Sequence, residues 1–377
     1  MRTATKKITR LNPVGLYIHF PWCIKKCPYC DFNSHPVKND FPEQEYKLAL
    51  RRDLEIAFEL SGLNILTIFC GGGTPSLFSP DTFFELIEEC RPWLESDAEI
   101  TMEVNPGAIE HGKLSAYRQA GINRISIGAQ TFDANQLKAI GRIHSPKEII
   151  KSCTEARKAG FTNINIDLMY GLPQQKVAQA ITDLEKATEI SPEHISWYQL
   201  TIEPKTEFAR RPPILSKESD IAEIEDLGQQ LLRNEQFTRY EVSAYAKDGY
   251  ECRHNMNYWK FGNYLGVGAG AHGKLSSPAG DLRTQKPSQP RLYLSDPLET
   301  KINPIDRKEL VGEFMMNVLR LAEGVEFEHF TYATQLSIDE IKPLWGDLAA
   351  EGLVEPNRIA TTELGYRHLD ALIQRFL

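Results

Sequence analysis

The sequence predicts an α/β protein: a parallel sheet of six βα units in series, followed by a small winged-helix-like C-terminal domain. Three observations point there. Short β-branched or aromatic runs alternate with longer helical patterns over the first 200 residues. Glycine and polar clusters sit just after the predicted strands, at Cys70–Pro75, Gly128–Thr131 and Tyr170–Pro173. From Asp306 onward the order becomes helices, a short strand pair and a last helix.

The predicted strands are Leu16–Phe20, Ile65–Cys70, Glu99–Val104, Arg124–Gly128, Asn163–Met169 and Ile195–Leu200. Apolar residues three and four apart, as in Leu54, Ala57 and Phe58, place helices near 42–60, 80–94, 107–120, 132–140, 146–159 and 176–190. Serial βα units imply parallel strands joined by right-handed crossovers, in a sheet that closes toward a barrel or stays open. In either form the C-terminal strand ends carry the chemistry. Residues 203–216 read as a loop, 217–235 as a polar amphipathic helix and Arg239–Ala246 as a strand. A Gly- and aromatic-rich stretch, 249–273, comes next. Residues 276–304 contain five prolines and read as an extended connector. Helices over 306–322, 326–334 and 337–351, strands Leu353–Pro356 and Arg358–Thr361, and a helix from Thr362 complete the chain. The division this implies is a flexible arm over 1–12, a barrel over 13–246, the Gly/aromatic segment and connector over 247–305, and a C-terminal domain over 306–377.

Hydrophobic residues make up 41% of the 377 residues and charged residues 25%, which excludes wholesale disorder. The formal net charge of −8 disfavours broad contact with nucleic acid or anionic membrane. The C-terminal domain itself holds seven Lys/Arg against 13 Asp/Glu, so its wing is a poor DNA reader. No apolar run approaches the ~18 residues of a spanning helix, and the basic N-terminus lacks an apolar signal core. The expectation is a cytoplasmic protein that binds no nucleic acid and meets membranes only through a partner.

Seven cysteines make a poor disulfide framework, and three of them crowd into Cys23-Ile-Lys-Lys-Cys27-Pro-Tyr29-Cys30, directly after the first strand. Three thiolates at Cys-x3-Cys-x2-Cys spacing can hold three irons of a [4Fe–4S] cubane and leave the fourth open to a small molecule. The competing arrangement is a zinc knot completed by His19 or His35. Zinc sites usually pair two CxxC units, and a second pair is absent. The run Gly71-Gly72-Gly73-Thr74-Pro75 after the second strand brings backbone amides close to a ligand. A formal GxGxxG at Gly268–Gly273 precedes Lys274-Leu-Ser-Ser-Pro278, which does not open a helix, so it reads as a tight backbone passage.

The cysteine motif resembles the signature of the radical S-adenosylmethionine (SAM) superfamily. That resemblance implies a partial (β/α)6-type barrel, a [4Fe–4S] cluster on Cys23, Cys27 and Cys30, and SAM on the open iron. One electron from the cluster then cleaves the sulfonium to a 5′-deoxyadenosyl radical, and an electron donor such as flavodoxin or ferredoxin is implied. The family's SAM-binding positions fall on Tyr17, Tyr29 near the adenine, Gly72, Gly73 and Thr74 at the methionine end, and Glu103 at that end or the ribose. Gly128-Ala-Gln130-Thr-Phe132, Gly141-Arg142-Ile-His144 and Asn165-Ile-Asp167 extend the resemblance to the HemN/HemW branch, with Gln130, Arg142 and Asp167 matching nucleoside-site residues.

That branch holds two groups: the oxygen-independent coproporphyrinogen III oxidases, which decarboxylate a porphyrinogen, and heme chaperones. The oxidase group has a further Cys where this chain has Phe32, and a long N-terminal extension where only 22 residues precede Cys23. Arg253-His254-Asn255-Met-Asn-Tyr258-Trp259 matches the HNxxYW motif of the chaperone group. His254 offers an imidazole to heme, and Tyr258 and Trp259 offer flat apolar faces; Cys252 is an alternative axial ligand. The resemblance implies heme binding through His254, Asn255, Tyr258 and Trp259 and transfer to acceptor apo-proteins. The alternative is oxidase activity in porphyrin biosynthesis.

Overall fold

The computed structural model describes residues 14–37, 41–61, 64–107, 113–277 and 280–377. The predicted N-terminal arm lies outside the described residues. Six parallel strands form the centre: β1 (Val14–Phe20), β2 (Ile65–Gly72), β3 (Leu94–Val104), β4 (Arg124–Gln130), β5 (Ile164–Tyr170) and β6 (His194–Gln199). They lie side by side in chain order within one twelve-stranded sheet. All six strands predicted over the first 200 residues are present, and helices Glu43–Ser61, Pro80–Cys90, Leu114–Gln119, Ala134–Ala139, Pro146–Lys158 and Val177–Glu189 connect them.

Alternation along each strand sorts side chains to two faces. Leu16, Ile18, Ile68, Ile100, Ile125, Ile127, Ile166 and Ile195 join helix residues such as Leu50, Leu54, Phe83, Ile149 and Leu184 in one core. The alternate positions, among them Tyr17, His19, Glu103, Arg124, Ser126, Asn165, Asp167 and Ser196, line the inner cavities. The apolar set faces the helices, so the barrel interior is polar.

Local chemistry fixes the helix starts. Asp133 caps Ala134–Ala139 by accepting the Asn135 and Gln136 amides at 2.7 and 3.1 Å. Glu148 accepts from the Ser145 amide and hydroxyl at 2.7 and 2.8 Å, closing a capping box before Pro146.

The second half departs from the sequence reading in three places. The predicted strand 239–246 is a tight antiparallel pair, β7 (Thr238–Glu241) and β8 (Ala244–Ala246), with β8 laid against β6. The predicted connector is an antiparallel meander. After β9 (Tyr264–Val267), which pairs in parallel with β1, come β10 (His272–Ser277), β11 (Gly280–Gln285) and β12 (Lys301–Pro304). Its strands are half-exposed, and β12 is exposed throughout, so no apolar alternation marks them. The full order is β12-β11-β10-β9-β1-β2-β3-β4-β5-β6-β8-β7.

The C-terminal domain packs Phe314, Phe330, Trp345, Leu348, Ile359 and Leu372 into its own core, which Phe261, Met256 and Trp259 join from the barrel side. Its wing is reduced to single bridges, Val325 with Ile359 and Val354 with Thr361, rather than a strand pair. No helix among the described residues is long and apolar enough to cross a membrane.

Candidate functional site: two adjoining cavities

The cysteine loop leaves β1 and is clamped from three sides. Trp22–Cys23 pairs with His35–Pro36. His19 Nε2 lies 2.8 Å from the Asn33 carbonyl, and Asn33 Nδ2 donates to the carbonyls of Ala269 and Ser288 at 2.9 Å each. The Cys30 amide donates to the Cys27 carbonyl at 3.1 Å, turning the two thiols toward one side. All seven cysteines are free thiols. Burial pushes the Cys23 thiol up to about 11.

Cys23, Cys27 and Cys30 line one cavity of about 510 Å³. The zinc-knot arrangement is not supported. His19 has both ring nitrogens engaged, Nδ1 lying 3.0 Å from Tyr17 Oη, and His35 Nε2 is 3.2 Å from Asn33 Oδ1. Among the described residues no three His, Cys, Asp or Glu side chains converge on a single-ion site. Three separated thiols on one cavity wall fit a polynuclear cluster better than one ion.

The same cavity collects Tyr29, Gly72, Gly73, Thr74, Glu103, Gln130, Arg142 and Asp167. Of the predicted SAM-binding residues, Tyr17 alone lies apart, on an adjoining cavity. Arg142 ties the set to the cysteine loop: it donates to Asn105 Oδ1 at 2.6 Å and the Gly128 carbonyl at 2.8 Å, and its Nη1 is 3.8 Å from Cys27 Sγ. Asn105 in turn donates to Thr74 Oγ1 at 2.8 Å. Gln130 takes a left-handed φ of 68° where β4 bulges, and accepts from Tyr198 Oη at 2.8 Å. Asp167 accepts from Ser126 Oγ at 2.9 Å and Asn165 Nδ2 at 2.7 Å. Burial raises the Asp167 pKa; burial and Asp167 together push Glu103 to about 8.

Two glycine amides of the cradle are already committed. Gly72 N–H donates to Glu103 Oε2 at 3.1 Å, and Gly73 N–H to the Phe20 carbonyl at 2.7 Å. The glycines are required for close approach to β1. A Cβ on Gly72 would sit 2.5 Å from the His19 ring, and one on Gly73 2.3 Å from the Trp22 carbonyl oxygen.

The HNxxYW residues form the helix Arg253–Trp259, whose first turn is anchored from β3. Glu99 accepts the amides of Arg253 and His254 at 3.3 and 3.2 Å, an acidic side chain at a helix N-terminus. His254 sits 2.7 Å from Thr67 Oγ1 through Nδ1 and 2.9 Å from Tyr258 Oη through Nε2. Its ring stacks on Phe69 at 5.1 Å, and burial lowers its pKa to about 3, so the imidazole is neutral. Thr67 lies near the start of β2, so the motif sits deep in the barrel rather than at the open strand ends. His254, Asn255, Tyr258 and Trp259 line a second cavity of about 790 Å³ with Tyr17, Phe69 and Arg124. Both cavities share Phe32, Gly72, Glu103, Ser126, Asp167, Ser196, Asn255 and Trp259, which make the wall between them.

Cys252 lines neither cavity; it is fully buried, its thiol 3.6 Å from Glu99 Oε1 and pushed up to about 12. The formal GxGxxG is the turn between β9 and β10: a Cβ on Gly268 would meet the His19 carbonyl at 2.5 Å. Sequence reasoning missed Arg124, Ser126, Asn165 and Ser196. Each is a polar residue on a strand buried on both faces, and inward parity was the signal available.

Comparison with known proteins agrees with this geometry. Residues 17–186 match the radical SAM superfamily model and 305–367 the HemN C-terminal domain model. The chain is 43% identical to the heme chaperone HemW of Escherichia coli K12, covering 98% of this chain and 100% of that protein. It is 33% identical to HemW of Bacillus subtilis, over 91% and 93%, and to the mouse protein named radical S-adenosyl methionine domain-containing protein 1, mitochondrial, over 87% and 78%. In fold it is similar to the coproporphyrinogen III oxidase HemN of E. coli, with a TM-score of 0.80 at 22% identity, over 97% of this chain and 91% of that one. With the three-thiol cavity, the glycine cradle and the HNxxYW helix in place, the chain belongs to the HemW family of the radical SAM superfamily.

Proposed function

We propose that this chain is a heme carrier that delivers heme to acceptor apo-hemoproteins, with a [4Fe–4S] cluster on Cys23, Cys27 and Cys30 and SAM beside it. The observation that carries the reading is the second cavity. It is roomy, walled by Tyr17, Phe69, Tyr258 and Trp259, and separated from the cluster cavity by a single shared wall. Flat aromatic faces suit a porphyrin. The cluster supplies one-electron chemistry when bound. The chain's own residues do the rest: Arg142 braces Cys27 against Asn105, and Glu103 and Asp167 present carboxyls at the shared wall. His254 holds Tyr258 edge-on at a ring separation of 4.7 Å. For His254 to ligate heme iron, Nε2 must exchange Tyr258 Oη for the metal. An electron donor such as flavodoxin or ferredoxin completes the scheme.

The test is anaerobic reconstitution, heme titration and an oxidase assay on one sample. The reading predicts about one heme per chain, transfer to an apo-acceptor, and no decarboxylation of coproporphyrinogen III. Robust formation of protoporphyrinogen IX would replace it with the oxidase.

A further inference from the structure

Arg124 opens β4 with its side chain inside the barrel, 2% exposed. A guanidinium carries five N–H donors in a rigid fork, and burying one without acceptors is costly. Yet its Nε is buried with no hydrogen-bond partner, and no hydrogen bond from the guanidinium is found among the described residues. The facing carboxylates are committed elsewhere. Glu99, 4.0 Å from Nε, receives the amides of Arg253 and His254 and the Cys252 thiol. Asp167 receives Ser126 and Asn165.

Arg124 lines the 790 Å³ cavity. On the same lining, Trp259 Nε1 is a second buried donor without an acceptor. The cavity thus combines flat aromatic walls with two N–H groups that have no hydrogen-bond acceptor among the described residues, Glu99 pairing with Arg124 only at 4.0 Å. A planar ligand that brings its own carboxylates fits that pattern.

We propose that Arg124 is the carboxylate-binding residue of this cavity and takes a propionate of a tetrapyrrole, with Trp259 Nε1 as a second donor. The proposal rests on the heme-carrier reading and deepens it by naming the group that reads the cargo's acid. The same carboxylate chemistry has another local source, the methionine end of SAM, so the experiment separates the two.

Hemin, its dimethyl ester and SAM are titrated against the wild type, Arg124→Gln and Arg124→Lys. Soret absorbance follows the tetrapyrroles, and equilibrium dialysis on anaerobically reconstituted protein follows SAM. Wild type should bind hemin roughly ten- to a hundred-fold more tightly than the ester, the effect of a charge-assisted hydrogen bond. Arg124→Gln should remove that preference, Arg124→Lys should restore part of it, and SAM affinity should hold. Equal binding of hemin and ester by the wild type overturns this assignment alone and needs no variant to fold. Lost SAM affinity with hemin binding spared in Arg124→Gln gives the residue to SAM and also overturns it. Absence of saturable hemin binding by the wild type overturns both this assignment and the heme-carrier reading.

Discussion

Glu103 Oε2 accepts the Gly72 amide at 3.1 Å, joining the ends of β2 and β3 within the wall that the two cavities share. The carboxyl's pKa of about 8, against an ordinary 4.5, has burial as its first cause and Asp167 as its second. The folded protein therefore keeps a proton that the unfolded chain releases between about pH 4.5 and 8. Stability falls as pH rises through that window. Cluster-free wild type should lose more melting temperature between pH 5 and 8 than Glu103→Gln does. Parallel melting curves for the two would refute the protonated carboxyl.

Iron content separates the cysteines. Cys23→Ser, Cys27→Ser and Cys30→Ser should each lose most of the iron and the thiolate-to-iron absorbance of anaerobically reconstituted protein. Cys90 and Cys153 are buried in the helix–sheet core, where burial raises both thiols, Cys153 to about 12. Their alanine variants should keep the wild-type iron count, and equal loss from the two groups would undo the assignment.

Gly73→Ala tests the approach of the cradle to β1. Its Cβ would meet Trp22 O at 2.3 Å and Phe20 O at 3.0 Å, backbone atoms that cannot rotate away. Overpacking of this kind costs about 1–3 kcal/mol, and here the strain falls on the residue before Cys23. Iron occupancy and the denaturation midpoint should drop together. Gly346→Ala, in a helix with nothing within 4 Å of its Cβ, should be neutral or slightly stabilising.

Tyr258→Phe removes the hydroxyl 2.9 Å from His254 Nε2 and leaves that nitrogen free. If the imidazole is the axial ligand, the Soret band of heme-loaded Tyr258→Phe should shift relative to wild type, and His254→Ala should abolish that shift. A Soret band indifferent to both changes would assign the iron to another donor.

Asp53 is the polar pin of the helix Glu43–Ser61. It lies 2.5 Å from Lys286 Nζ, accepts from Tyr293 Oη at 2.9 Å, and accepts the Gly268 amide at 3.2 Å. Asp53→Leu leaves the Lys286 ammonium buried without its counter-charge. Breaking one side of a buried pair costs about 3–5 kcal/mol. Urea denaturation should show that loss, and a change under 1 kcal/mol would mean Lys286 finds water instead.

How far the sequence could be read follows from burial. The six parallel strands were legible because both faces are covered and each carries a β-branched or aliphatic run, as in Arg124-Ile-Ser-Ile. The meander was not, since β12 is exposed along its length and β11 is only half-buried. That Cys23, Cys27 and Cys30 share one cavity was legible from their spacing. Arg124 was not, because a polar residue in a strand ordinarily signals the wet face, and here that parity turns inward to a cavity. The depth of His254 was also hidden: its place beside Thr67 depends on Glu99 holding the first turn of its helix.

The position of β1 sets a timetable for biosynthesis. One edge of the strand that carries the cysteine loop is completed by β9, with Gly15 opposite Tyr264, roughly 250 positions later in the chain. At ~5–20 residues per second, a ribosome takes roughly 12–50 s to supply that partner. Asn33 is likewise anchored to Ala269 and Ser288, which emerge later still. The cysteine loop therefore gains the contacts that fix its shape only after the chain has been made as far as Ser288.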